Sequence, residues 1–129
     1  MRSAFVAIAL LTCMVTRSLA QTEVSPIALV GRWKSSAVHS SGASVIVNVT
    51  LGRNMKFHGT ATVNDKPAME YAGTWEVSGT TLVWRYENGT ADMAAVGKVD
   101  TDEIVSVDSD KLVLRSSLSG KLREYLRAK

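Results

Sequence analysis

Few side chains in this sequence could do covalent or metal chemistry, and each has a plainer role to set beside it. The two histidines, His39 and His58, could hold a metal only with carboxylate help, from Glu70 or Asp65. His39 falls in or near a turn and His58 on the polar face of a strand pattern, so both read as exposed and no metal site is expected. The acidic group Asp100, Asp102, Glu103, Asp108 and Asp110 lacks the spacing and the glycine of a calcium loop. Turns favour Asp, so this group reads as a solvated rim. Serines are numerous, but there is no Gly-x-Ser-x-Gly elbow and no glycine-rich phosphate loop. No catalytic residue is assigned, no enzyme activity is expected and no cofactor is implied.

The constellation that remains is aromatic. Phe57, Tyr71, Trp75, Trp84 and Tyr86 recur at alternate positions in consecutive apolar runs, with Met69, Leu82 and Met93 in the same set. On one face of a sheet they would make an apolar pocket with phenol hydroxyls to orient a ligand. The plainer reading is that they fill a core.

Positioning such a set requires strands. From Ile27 onward the chain alternates short β-branched and aromatic runs with turn residues, and no long helical periodicity is present. Strands are expected over 32–38, 44–51, 55–63, 69–77, 80–87, 91–99, 103–107, 111–116 and 122–127. Turn signals separate them, and Asn88-Gly89 is the strongest by composition. Val45, Val47, Val49 and Leu51 share one face against Asn48 and Thr50, and the other strands divide in the same way. Short connections imply an antiparallel meander, and closing it removes two exposed edges. The expected fold is therefore all-β: an eight- or nine-stranded antiparallel up-and-down barrel.

The first twenty residues read as a cleaved signal peptide. Arg2 supplies the positive start, residues 4–15 form an apolar run too short to span a bilayer, and Ser18 and Ala20 suit a cut before Gln21. Thr12 before Cys13 fits a lipidation signal poorly. Cleavage would remove Cys13, the chain's one cysteine, so disulfides and thiol chemistry are excluded from the exported form. Arg2 and Arg17 would leave as well, which brings the 15 basic residues almost level with the 12 acidic ones. No nucleic-acid partner is implied. The expected organisation is a leader over 1–20, an unpaired arm over 21–28 and a barrel over 29–129. The location expected is periplasmic or extracellular, without stable membrane insertion after cleavage, and the barrel is expected to be monomeric. The sequons at Asn48 and Asn88 would matter only in a eukaryotic host, and a bacterial origin is the reading favoured.

Four segments resemble the small bacterial lipocalin-like domains of the calycin group. They are Leu29-Val30-Gly31-Arg32-Trp33, similar to the Gly-x-Trp that opens such barrels; the stretch from Ala72 to Leu82; Asp110-Lys111-Leu112-Val113-Leu114; and Glu124-Tyr125-Leu126-Arg127. The resemblance implies that Trp33 packs at the closed end of the barrel against a basic residue of the last strand, Arg127 or Arg123. The chain is shorter than a full lipocalin and has no evident C-terminal helix, which argues against a large cavity.

Two functions follow. The first is an exported, non-catalytic barrel that binds a small hydrophobic ligand, lined by Phe57, Tyr71, Trp75, Trp84 and Tyr86. The second is a barrel with a protein partner, such as an inhibitor of a secreted hydrolase acting through residues 21–26. Small barrels are either filled or hold one small ligand, and the few residues left to build a wide mouth favour filling.

Overall fold

The computed structural model describes residues 23–90 and 97–128. The expected leader, its cleavage site, Cys13 and Met93 lie outside the described residues. Eight strands follow in chain order: β1 (Gly31–Val38), β2 (Ser44–Leu51), β3 (Lys56–Val63), β4 (Lys66–Ser78), β5 (Thr81–Gly89), β6 (Val99–Val107), β7 (Lys111–Ser116) and β8 (Leu122–Arg127). Each pairs antiparallel with the next, and β1 pairs with β8, so the sheet is a closed up-and-down barrel. The all-β barrel read from the sequence is the fold found, with eight strands.

Three local expectations are corrected. A single strand, β6, covers Val99–Val107 where two strands and a turn were expected. Asp100, Thr101 and Asp102 stand opposite Trp84, Val83 and Leu82 in the ladder. Cross-strand pairing here overrides the low strand preference of Asp. Residues 91–96, most of the expected sixth strand, lie outside the described residues. Asn88-Gly89 is not a hairpin turn but the end of β5, opposite Ala72 and Tyr71. The 13-residue β4 extends far enough to template it, and the ladder shifts register at Ala72/Gly73 to admit an extra residue in β5. The arm is not free where it is described. The Val24 N–H donates to the Gly79 carbonyl at 3.0 Å.

The turn at Asn64-Asp65 shows the chemistry that sets register. Both residues have positive φ, 50° and 67°, as a tight two-residue hairpin with the right twist demands. The Asn64 side chain also accepts a hydrogen bond from the Ser44 N–H at 2.9 Å, tying the turn to β2.

One end of the barrel is packed solid. Leu29, Trp33, Leu51, Phe57, Trp75, Leu82 and Leu112 are buried there. A 3-10 turn, Pro26–Leu29, closes this end from outside and carries the fully buried Leu29 under the strands. The Trp33 indole N–H donates to the Leu29 carbonyl at 2.8 Å. Arg127, at the end of β8, stacks on the Trp33 ring with 4.1 Å between guanidinium carbon and ring centroid. Its Nη1 and Nη2 donate to the Val30 and Ala28 carbonyls at 2.8 and 3.0 Å, and its Nε to the Ser109 carbonyl. One side chain thereby ties β8, the entry turn and the β6–β7 hairpin together.

Candidate functional site

Alternation along each strand sends every second side chain inward, and the inward set changes character along the barrel axis. Near the start of β1 it is Trp and Leu packed without gaps. Above Phe57 the walls separate around a cavity of about 540 Å³. Its apolar surface comes from Val47, Val49, Ala61, Met69 and Leu114, and its aromatic surface from Tyr71, Trp84, Tyr86 and Tyr125. The barrel is therefore filled at one end and hollow at the other, where the short chain had suggested filling throughout.

The five aromatic residues singled out from the sequence divide between these two regions. Tyr71, Trp84 and Tyr86 line the cavity. Phe57 lies beneath them. Its ring meets Trp84 and Tyr86 edge-on at centroid distances of 5.0 and 5.6 Å and Tyr71 at 6.1 Å, so it holds the lining in place. Trp75 belongs to the solid end, where its indole N–H donates to the Gly52 carbonyl at 3.2 Å. Gly59 lets Tyr71 lie flat against β3, because a Cβ there would collide with the phenol ring.

The wall also carries charge. Asp100 and Asp102 of β6 and Arg123 of β8 face the cavity, with Ser35 and Ser116 beside them. The Trp84 indole N–H donates to Asp102 Oδ2 at 2.8 Å. Burial raises the Asp102 carboxyl above the ordinary carboxylate range and Asp100 adds to the rise, while the Trp84 bond and Arg123 oppose it. Tyr71 is pushed up to about 12, first by burial. Tyr86 and Tyr125 are raised as well, again chiefly by burial, with the carboxylates of β6 contributing to both. All three phenols are thus neutral hydroxyls near neutral pH, available to donate and accept.

These polar lining residues were not anticipated. The sequence pattern puts Asp100 and Asp102 in a solvated rim, but in the structure only Glu103, Asp108 and Asp110 of that group are exposed. The signal was present in the alternation Asp100, Asp102, Ile104, which a continuous β6 places on one inner face. A turn assumed between 99 and 103 concealed it.

His58 and Glu70 sit side by side on the outer wall, 3.5 Å apart and mostly exposed. His39 is exposed in the β1–β2 connection. Among the described residues no group of His, Cys, Asp and Glu side chains could hold a metal ion.

No protein-family model matches the chain. No curated protein matches its sequence. Among solved structures it is similar to the NMR structure of a protein from Bacteroides uniformis, at 10% identity and a TM-score of 0.55, over 84% of this chain and 96% of that one. At that identity the likeness concerns the fold alone. It extends over nearly all of the other chain, so the barrel is shared as a whole.

Proposed function

We propose that this chain is an exported, lipocalin-like binding barrel that holds one small, largely apolar ligand in the cavity and catalyses no reaction. The observation that carries the reading is the cavity itself: about 540 Å³, aromatic at its base, in a barrel whose other end is solid. That volume lies within the range of about 300–1,000 Å³ usual for small-molecule sites. Neutral phenols at Tyr71, Tyr86 and Tyr125 and the carboxylate of Asp102 supply the few polar contacts that orient a ligand. Export rests on residues 1–20, and the assignment as a monomer without nucleic-acid partners rests on composition.

The test is titration with N-phenyl-1-naphthylamine, a neutral apolar fluorophore, following probe emission and tryptophan quenching together. Saturable emission with loss of Trp84 fluorescence is the expected result. Ala61→Phe places a ring in the cavity and should abolish the signal, at a stability cost of about 1–3 kcal/mol that circular dichroism shows to leave the protein folded. Absence of saturable emission from the parent, or an unaltered titration in Ala61→Phe, would sink the reading.

A further inference from the structure

The seam that closes the barrel is half open. β1 and β8 pair only at Trp33↔Arg127 and Lys34↔Leu126, with one more bond below them from the Ala128 N–H to the Arg32 carbonyl at 2.8 Å. By contrast, β1 pairs with β2 along its whole length, from Gly31↔Leu51 to Val38↔Ser44. Both seam strands continue past the last pair. The same register would place Ser35 opposite Tyr125, Ser36 opposite Glu124, Ala37 opposite Arg123 and Val38 opposite Leu122. All these residues are in strand conformation, yet among the described residues they form no ladder across the seam.

The direction of the unmade bonds follows from the ladder. In an antiparallel pair, successive residues turn their backbone groups to alternate sides. Arg32 and Lys34 bond toward β8, and His39 bonds back to Ala43 across the β1–β2 turn. Ser36 and Val38 therefore aim their backbone groups at β8, while Leu122 and Glu124 aim theirs at β1.

The side chains locate the opening. Ser36, Leu122 and Glu124 are on the outer face, exposed, and Glu124 lies 3.8 Å from the outward Lys111. All three nevertheless line the cavity. With no ladder between them, the cavity reaches these outward residues at the seam as well as at the mouth, where Leu118, Ser119 and Lys121 of the β7–β8 turn also line it. Beside the gap, Val38, Leu118 and Leu122 are 75%, 86% and 60% exposed, the three most exposed large apolar side chains among the described residues.

We propose that the gap between the upper halves of β1 and β8 is a lateral door to the cavity, through which an apolar ligand enters and leaves. The proposal rests on the ligand-binding reading above. The geometry of the door can be tested without any ligand. Arg127 and Trp33 hold the lower seam shut, so opening is confined to the half that borders the cavity. The apolar border gives a departing ligand a surface to cross.

Amide hydrogen exchange by NMR on the full chain tests the open seam directly. Within β1, Ser36 and Val38 should exchange at least about a hundredfold faster than their neighbours Ser35 and Ala37, which bond to β2. Within β8, Leu122 and Glu124 should likewise exchange faster than Arg123 and Tyr125. Protection of Ser36 and Glu124 equal to that of Lys34 and Leu126 would overturn the inference. For passage, Ser36→Cys/Glu124→Cys is made in a Cys13→Ser background. Once mass spectrometry confirms the disulfide, N-phenyl-1-naphthylamine association and dissociation should slow together by about tenfold or more and recover on reduction. Unchanged rates in the cross-linked protein would remove the door. Fast exchange at the seam in a protein that binds no probe would leave the seam open and sink the ligand-binding reading instead.

Discussion

The Arg127 guanidinium lies over the Trp33 indole at 4.1 Å while its three donor nitrogens reach the backbone carbonyls of Ser109, Val30 and Ala28. The planar fork is what allows one cation to stack on a ring and bond along its edge at once. Arg127→Lys keeps the charge and loses most of those bonds, so chemical denaturation should show a loss of roughly 1–3 kcal/mol. Trp33→Ala opens a cavity at a fully buried position and should cost about 3–5 kcal/mol. A lysine variant as stable as the parent would mean that the carbonyl bonds contribute nothing to the fold.

Asp102 makes stability depend on pH in an unusual direction. Its carboxyl titrates higher in the folded chain than its ordinary value of 3.8, so the folded state binds its proton more tightly than the unfolded state. The associated stability is complete below the unfolded value and is lost as pH rises through the folded value. Asp102→Asn keeps an acceptor for the Trp84 N–H without the charge. Measured against the parent, its unfolding midpoint should gain as pH rises above about 4. Identical pH profiles for the two proteins would refute this.

Asp108 should act in the opposite sense. Its Oδ1 accepts from the Asp110 and Lys111 N–H groups, both at 2.8 Å, and those bonds hold its carboxyl below the usual range. The stabilisation is present above the unfolded value and is lost as pH falls through the lowered one. Asp108→Ala should reduce the thermal midpoint at neutral pH and narrow its gap to the parent in acid. A gap that stays constant with pH would contradict the cap.

The three tyrosines of the chain, Tyr71, Tyr86 and Tyr125, are all raised by burial. An ultraviolet pH titration of the native protein should therefore show no phenolate step near the ordinary value of about 10. Phenolate absorbance should appear only with alkaline unfolding. A native-state step near pH 10 would place at least one phenol in water.

Gly73 should tolerate no side chain. It sits at the register shift of β4 and β5, and a Cβ there would run into the Arg85 carbonyl. The obstacle is backbone and cannot swing aside. Gly73→Ala should destabilise by about 3 kcal/mol or more in denaturant unfolding. A small effect would show that the bulge can move along the ladder.

Much of the barrel was legible in the residues. The alternation in β2 and β3, the turn residues between runs and the short connections lead to an antiparallel meander with little else to consult. The aromatic set was legible as inward-facing, but its division into lining and floor was not. Phe57 and Trp75 read like Tyr71 and Trp84 in one dimension. They differ in depth within the barrel, which only the closed sheet decides.

The failures share a cause. Asn88-Gly89 carries a strong turn signal and Asp100 and Asp102 are of a type that turns favour, yet both segments are strand because a neighbouring strand supplies hydrogen bonds that outweigh local preference. Strand propensity spans only about 1 kcal/mol per residue, whereas a full ladder and a buried face add up over many residues.

By itself, the order of residues determined which apolar side chains point inward, where most hairpins turn and that the sheet would be antiparallel. Those properties depend on neighbours one to four positions away. The tertiary structure alone decided that one end is solid and the other hollow, that Asp100, Asp102 and Arg123 share the hollow, and that the seam between β1 and β8 stops halfway. Each of these depends on bringing together strands separated by tens of residues; the Gly-x-Trp opening implied a basic partner for Trp33 in the last strand, and the closed sheet made it Arg127 rather than Arg123.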